Sequence, residues 1–92
     1  MRWTVLFKDP KRIEKAVDKL RPSTQVAFKR AIRDLGEQGP APQGWFVKKL
    51  VGDVGEYRMS MRLDYRHRMI YDVYGGRLTI VILEVSTREG AY

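Results

Sequence analysis

The side chains best equipped for chemistry in this 92-residue chain gather in its last third. Arg58, Arg62, Arg66, Arg68 and Arg88 lie among apolar residues that alternate with a period of two, and Tyr92 follows Arg88 by four positions. His67, the only histidine, sits between two of these arginines. A guanidinium is a planar fork of donors that matches phosphate or carboxylate oxygens, and it keeps its proton at physiological pH. An imidazole exchanges a proton near neutrality, whereas a phenol does not. The chemistry on offer is recognition of an anion. The plain alternative is that Arg66 and Arg68 are solvated strand residues paired with Asp64, Asp72 or Glu84, contacts worth about 1 kcal/mol or less each.

The elements that must position these groups follow from local patterns. Trp3 to Phe7 is a short β-branched and aromatic run that predicts a strand. Asp9-Pro10 is an N-cap residue followed by proline at the first helical position. Ile13, Ala16, Val17 and Leu20 then fall on one helix face. Arg21-Pro22-Ser23 ends that helix and begins another, whose face is Phe28, Ala31, Ile32 and Leu35, and Gly36 or Gly39-Pro40 ends it. Residues 39–45 read as a loop, and "FVKKLV" fits a short strand or a turn.

From Tyr57 the period becomes two. Tyr57, Met59, Met61 and Leu63 share one face, with Arg58, Ser60, Arg62 and Asp64 opposite. A further strand places Met69, Tyr71 and Val73 on one parity, with Arg66, Arg68, Ile70 and Asp72 on the other. Gly75-Gly76 is a hairpin signal, and Leu78 to Val85 is apolar on both parities, as in a central strand covered on both sides. The expectation is a single α+β domain spanning residues 1–92: an N-terminal strand, a helical hairpin, and a three-stranded antiparallel meander with the helices packed on one sheet face. The other face is then open, carrying Arg58, Arg62, Arg66, Arg68 and Arg88 with Asp64, Asp72 and Glu84 among them. Such a face suits a phosphodiester backbone.

Charge and composition agree. The net charge is +7, from 18 basic and 11 acidic residues, which points to an acidic partner. The excess lies entirely in residues 1–49, because residues 50–92 hold six charges of each sign. Any site on the meander must therefore segregate charge between faces. All seven lysines lie at or before Lys49. With no cysteine, a disulfide scaffold and a thiolate metal site are excluded, which fits a reducing cytoplasm. No apolar run approaches membrane-spanning length, and the first ten residues lack the pattern of a secretory signal.

Three motifs in order resemble a known family. "VKKLVGDVGEYRMSM" (47–61), "YRHRMIYDV" (65–73) and "ILEVSTREGAY" (82–92) are similar to the leucine-glycine-tyrosine turn, the arginine strand and the closing Arg…Tyr strand of the RelE/ParE superfamily of toxin–antitoxin modules. The resemblance implies the strand, helical hairpin and meander order. It also implies a toxin of the RelE-like branch, a metal-independent endoribonuclease that cleaves mRNA, usually on the ribosome, and inhibits translation in the cytoplasm. No cofactor or metal and no membrane is implied. The implied partners are mRNA, the ribosome and a cognate antitoxin of acidic character.

Cleavage of this kind needs a base for the 2′-hydroxyl, charge stabilisation at the phosphoryl oxygens and a proton for the leaving 5′-oxygen. By their match to the family's positions, Arg68 and Arg88 are expected to bind phosphate and stabilise the transition state. Tyr92 is expected to stack on a base or orient the hydroxyl. Where some family members carry two lysines, this chain has Arg58 and Ser60, so the base and acid candidates are His67, Lys48 and Lys49. The parity of His67 puts it toward the helices unless a bulge reorients the strand. Arg58, Arg62 and Arg66, with Lys48 and Lys49, are expected to hold RNA. Two other readings remain: a ParE-like toxin that inhibits gyrase without nuclease activity, and a non-catalytic nucleic-acid-binding module.

Overall fold

The structure, a computed structural model, describes residues 2–87. Strand β1 (Thr4–Phe7) leads into helix α1 (Pro10–Asp18), where Asp9 caps the N-terminus by accepting the Arg12 amide at 3.4 Å. Helix α2 (Pro22–Gln38) follows without a side-chain cap and ends at Gly39, whose φ of +95° is open to glycine at little cost. Of the two expected stops, Gly39-Pro40 is the one used. Gly36 stays helical and lies against β1, its carbonyl accepting the Trp3 amide at 2.8 Å.

Four strands complete the sheet: β2 (Val47–Gly52), β3 (Glu56–Arg62), β4 (His67–Tyr74) and β5 (Thr79–Thr87). Their spatial order is β1-β5-β4-β3-β2, with β1 parallel to β5 and the rest antiparallel. The meander therefore has four strands rather than the expected three, because "VKKLVG" pairs with β3 and is a strand. Gly75–Arg77 form one 3₁₀ turn, and Leu78 takes a left-handed φ of 46° before β5 begins.

Both helices pack on one face, as the apolar stripes require. Ile13, Ala31 and Leu35 meet Met59, Met61, Met69, Tyr71, Val73, Ile80 and Ile82 in one core. β5 departs from the sequence expectation of a strand covered on both sides. Ile80 and Ile82 are fully buried, but Val81 and Leu83 are half-covered and Glu84 is exposed. Among the described residues no helix packs on the opposite face, and Leu83, the extra residue of an irregularity between Ile82 and Glu84, lines a recess with Arg12, Ile13 and Ala16 of α1.

Residues 39–46 lie along the helical layer through two buried anchors. The Tyr71 hydroxyl donates to the Pro40 carbonyl, and burial pushes that phenol's pKa well up. Trp45 donates its indole N–H to Asp34 at 2.9 Å, and Arg30 stacks on the same indole with its guanidinium 5.1 Å from the ring centroid. The indole hydrogen bond, with help from Arg33 and against the opposing effect of burial, holds the Asp34 carboxyl below its ordinary range.

Candidate nucleic-acid interface

Inter-strand register arranges the uncovered face in rows. Arg62 pairs with Arg68, and Arg68 with Ser86. The Arg62 amide donates to the Phe46 carbonyl at 3.0 Å, so Phe46 extends this row beyond the start of β2. The next row is Lys48, Ser60, Ile70 and Glu84. A third runs Val51, Arg58, Asp72, Val81 and Leu6.

These rows differ in charge. In the third, Arg58 grips Asp72 through two bonds, Nε to Oδ1 at 2.7 Å and Nη2 to Oδ2 at 3.1 Å. That hydrogen-bonded carboxylate raises the Arg58 pKa further, and the pair is electrically closed. In the first, two arginines stand directly opposite each other with no acid in the row. Like charges so placed repel, a cost a purely structural sheet has no reason to carry. Arg62 relieves part of it by laying its guanidinium over the Phe46 ring, 5.0 Å from the centroid. Arg68 has no such relief: its Nε is buried and has no hydrogen-bond partner among the described residues. Buried donors are rarely left so, and an orphan at a recess wall points to a missing acceptor.

Arg62 and Arg68 line one recess of about 220 Å³ with Lys48, Ser60, Phe46 and Leu50. Among the described residues, no acidic one lines it. Lys48 stands opposite Ser60 and lines the recess from β2.

The remaining sequence candidates go elsewhere. Lys49 lies over the Tyr57 ring, 5.5 Å from its centroid. Arg66 sits in the β3–β4 turn and His67 is the first residue of β4, which corrects the expected inclusion of Arg66 in this strand. The cause is Asp64, whose Oδ1 accepts the amides of both Arg66 and His67 at 2.7 Å and bends residues 63–66 into a loop. Asp64 therefore does not share the open face either. Its other oxygen accepts the Thr24 hydroxyl from α2 at 2.7 Å, and the His67 ring Nδ1 lies 3.1 Å from both oxygens. Partial burial raises the Asp64 pKa, but these hydrogen bonds outweigh it and bring the carboxyl down to about 2. The imidazole thus stands on the helix side, as its parity predicts, and no bulge in β4 turns it to the recess. The irregularity in this part of the sheet is in β5, between Ile82 and Glu84. Arg88 and Tyr92 lie outside the described residues.

Sequence reasoning missed Phe46. Its two-residue step from Lys48 gives both the same parity, but that signal is readable only once β2 is known to be a strand.

Fold and site together define a small α+β protein with a helical layer on one side of a mixed sheet and a cationic recess on the other. No family model and no curated protein sequence matches the chain. Among solved structures, it is similar to a chain of the archaeal RelE–RelB complex from Pyrococcus horikoshii, at 24% identity and a TM-score of 0.83, covering 98% of this chain and 99% of that one. It is also similar to a chain of the RelBE2 toxin–antitoxin complex from Mycobacterium tuberculosis, at 24% identity and a TM-score of 0.64, covering 96% and 100%. The isolated RelE toxin of E. coli matches at 21% identity and a TM-score of 0.61, covering 95% and 85%. The fold is RelE-like, as the three sequence motifs implied.

Proposed function

We propose that this protein is the toxin of a toxin–antitoxin pair and an endoribonuclease that cleaves mRNA during translation. The observation that carries the reading is the buried Arg68 Nε, which among the described residues has no partner, in a recess shared with Arg62 and Lys48 that no described acidic residue lines, on a RelE-like fold. A phosphate oxygen supplies the missing acceptor, and two guanidiniums answer the charge that builds as the 2′-hydroxyl attacks. Lys48 is the lining residue whose ammonium can give a proton to the leaving 5′-oxygen, since His67 faces Asp64. Its place opposite Ser60 also weakens the gyrase-inhibitor reading, which rested on the lack of lysines at positions 58 and 60.

The partner that restrains such a protein has to cover this surface. β2 is an edge strand, bearing Lys48 and Lys49, whose outer side pairs with no strand among the described residues. An acidic antitoxin segment laid along that edge would satisfy its backbone groups and neutralise the recess.

The test is induced expression with mapping of mRNA 5′ ends and a growth curve. Wild type arrests growth and produces new cleavage ends, and Arg68→Ala relieves both. Arrest with intact transcripts, or an Arg68→Ala variant as toxic as wild type, would overturn the assignment.

A further inference from the structure

Phe46 is an anomaly of the fold. Its ring is 74% exposed and takes no part in the core, although its neighbours Trp45 and Val47 both pack inward. Leaving a phenylalanine in water forfeits burial worth about 1.5–3 kcal/mol. The ring is nonetheless held in place. The Phe46 carbonyl is latched to the Arg62 amide, Trp45 before it is tied to Asp34, and the Arg62 guanidinium backs the ring. An exposed aromatic, fixed by its backbone and supported by a cation, is what a stacking surface for a planar ligand requires.

Its position says which ligand. Phe46, Arg62 and Arg68 occupy successive places in one row, about 4.8 Å apart from strand to strand, so the ring stands roughly 10 Å from the Arg68 strand. An aromatic face beside a cationic, acid-free recess matches a base joined to its own phosphate. A protein partner would use the apolar ring but give no reason for the unopposed guanidiniums beside it.

We propose that Phe46, backed by Arg62, is a base-stacking platform that sets which nucleotide of a single-stranded RNA presents its phosphate to Arg68. Phe46 is then a positioning residue, acting on register rather than on the bond that breaks. The inference rests on the RNA reading above and adds to it the contact that holds a base.

The experiment uses the purified full chain and a short single-stranded RNA, 2′-O-methylated to block cleavage, with 2-aminopurine placed at successive positions. Binding is followed by anisotropy and stacking by quenching of the 2-aminopurine. Wild type should quench at one position. Phe46→Ala should lose that quenching and bind about tenfold more weakly, with the same salt dependence, because stacking releases no counterions. Phe46→Trp should keep both. Since the ring is exposed and outside the core, the melting temperature of each variant should match wild type.

The two readings fail differently. If Arg68→Ala weakens binding while Phe46→Ala binds and quenches like wild type, the platform is wrong and the phosphate recess stands. The same holds if Phe46→Ala loosens only a protein partner. If wild type binds no RNA, or Arg68→Ala binds as well as wild type, the RNA reading itself falls and the platform with it.

Discussion

Three cations that face a recess lined by no described carboxylate should each displace a counterion from bound RNA, whereas Arg58, already clamped by Asp72, should not. For single strands the slope of log K against log salt is about −0.7 per phosphate contact. Arg62, Arg68 and Lys48 together then contribute a slope of about −2, so their share of the affinity falls roughly twentyfold between 50 and 200 mM salt. Arg68→Ala should flatten the measured slope by about 0.7, a loss of about 2.6-fold over that range. Removing the ion pair as a unit, with Arg58→Ala and Asp72→Ala together, leaves the net charge unchanged and should leave the slope unchanged. Replacing Arg58 alone is the wrong control, because it would leave the Asp72 carboxylate facing the RNA. The assay is anisotropy of a labelled, 2′-O-methylated RNA titrated at several KCl concentrations. Equal changes of slope for Arg68→Ala and for the Arg58/Asp72 pair would refute the reasoning, since they would show that register-paired charge on this face does not matter.

The Asp64 cluster makes a pH prediction. Its folded pKa of about 2 lies below the roughly 3.9 of an unfolded aspartate, so its contribution to stability is complete above about pH 5 and is lost as pH falls through 4 toward 2. Asp64→Asn should lower stability at pH 7 and show a smaller further loss on acidification, read from urea midpoints at pH 7 and pH 3. Thr24→Val should cost about 1–2 kcal/mol and be non-additive with Asp64→Asn, because the two share one hydrogen bond. Tyr71→Phe removes the only described bond of a buried phenol and leaves the Pro40 carbonyl without it, so a loss of about 1–2 kcal/mol is expected by the same unfolding assay. Gly39→Ala forces a side chain into a φ of +95° with its Cβ 2.9 Å from the Trp3 indole nitrogen, which should lower the melting temperature by several degrees.

The main elements were readable because their signals are local. Asp9-Pro10 marks the start of α1 through one cap and one fixed φ, and period two from Tyr57 onward places Met59, Met61, Met69, Tyr71 and Val73 against the helices. The parity of Arg58, Arg62 and Arg68 likewise put all three on the uncovered face. "VKKLVG" was ambiguous because a strand exposed along most of its length carries no clear alternation, and its pairing with β3 settles it.

Which arginine is free was not readable, for a physical reason. Periodicity reports how one backbone segment orients its side chains, whereas charge pairing depends on the register between segments. Arg58 is neutralised because register sets it across from Asp72, fourteen residues away. Arg66 leaves the sheet because Asp64 closes a turn that Thr24, forty residues earlier, helps to hold. Sequence alone determined most of the elements and the side of the sheet that Arg58, Arg62 and Arg68 face. Tertiary structure decided that Arg62 and Arg68 meet beside Lys48 and Phe46 with no carboxylate among those four, because only the folded register brings three strand positions and the residue before β2 together.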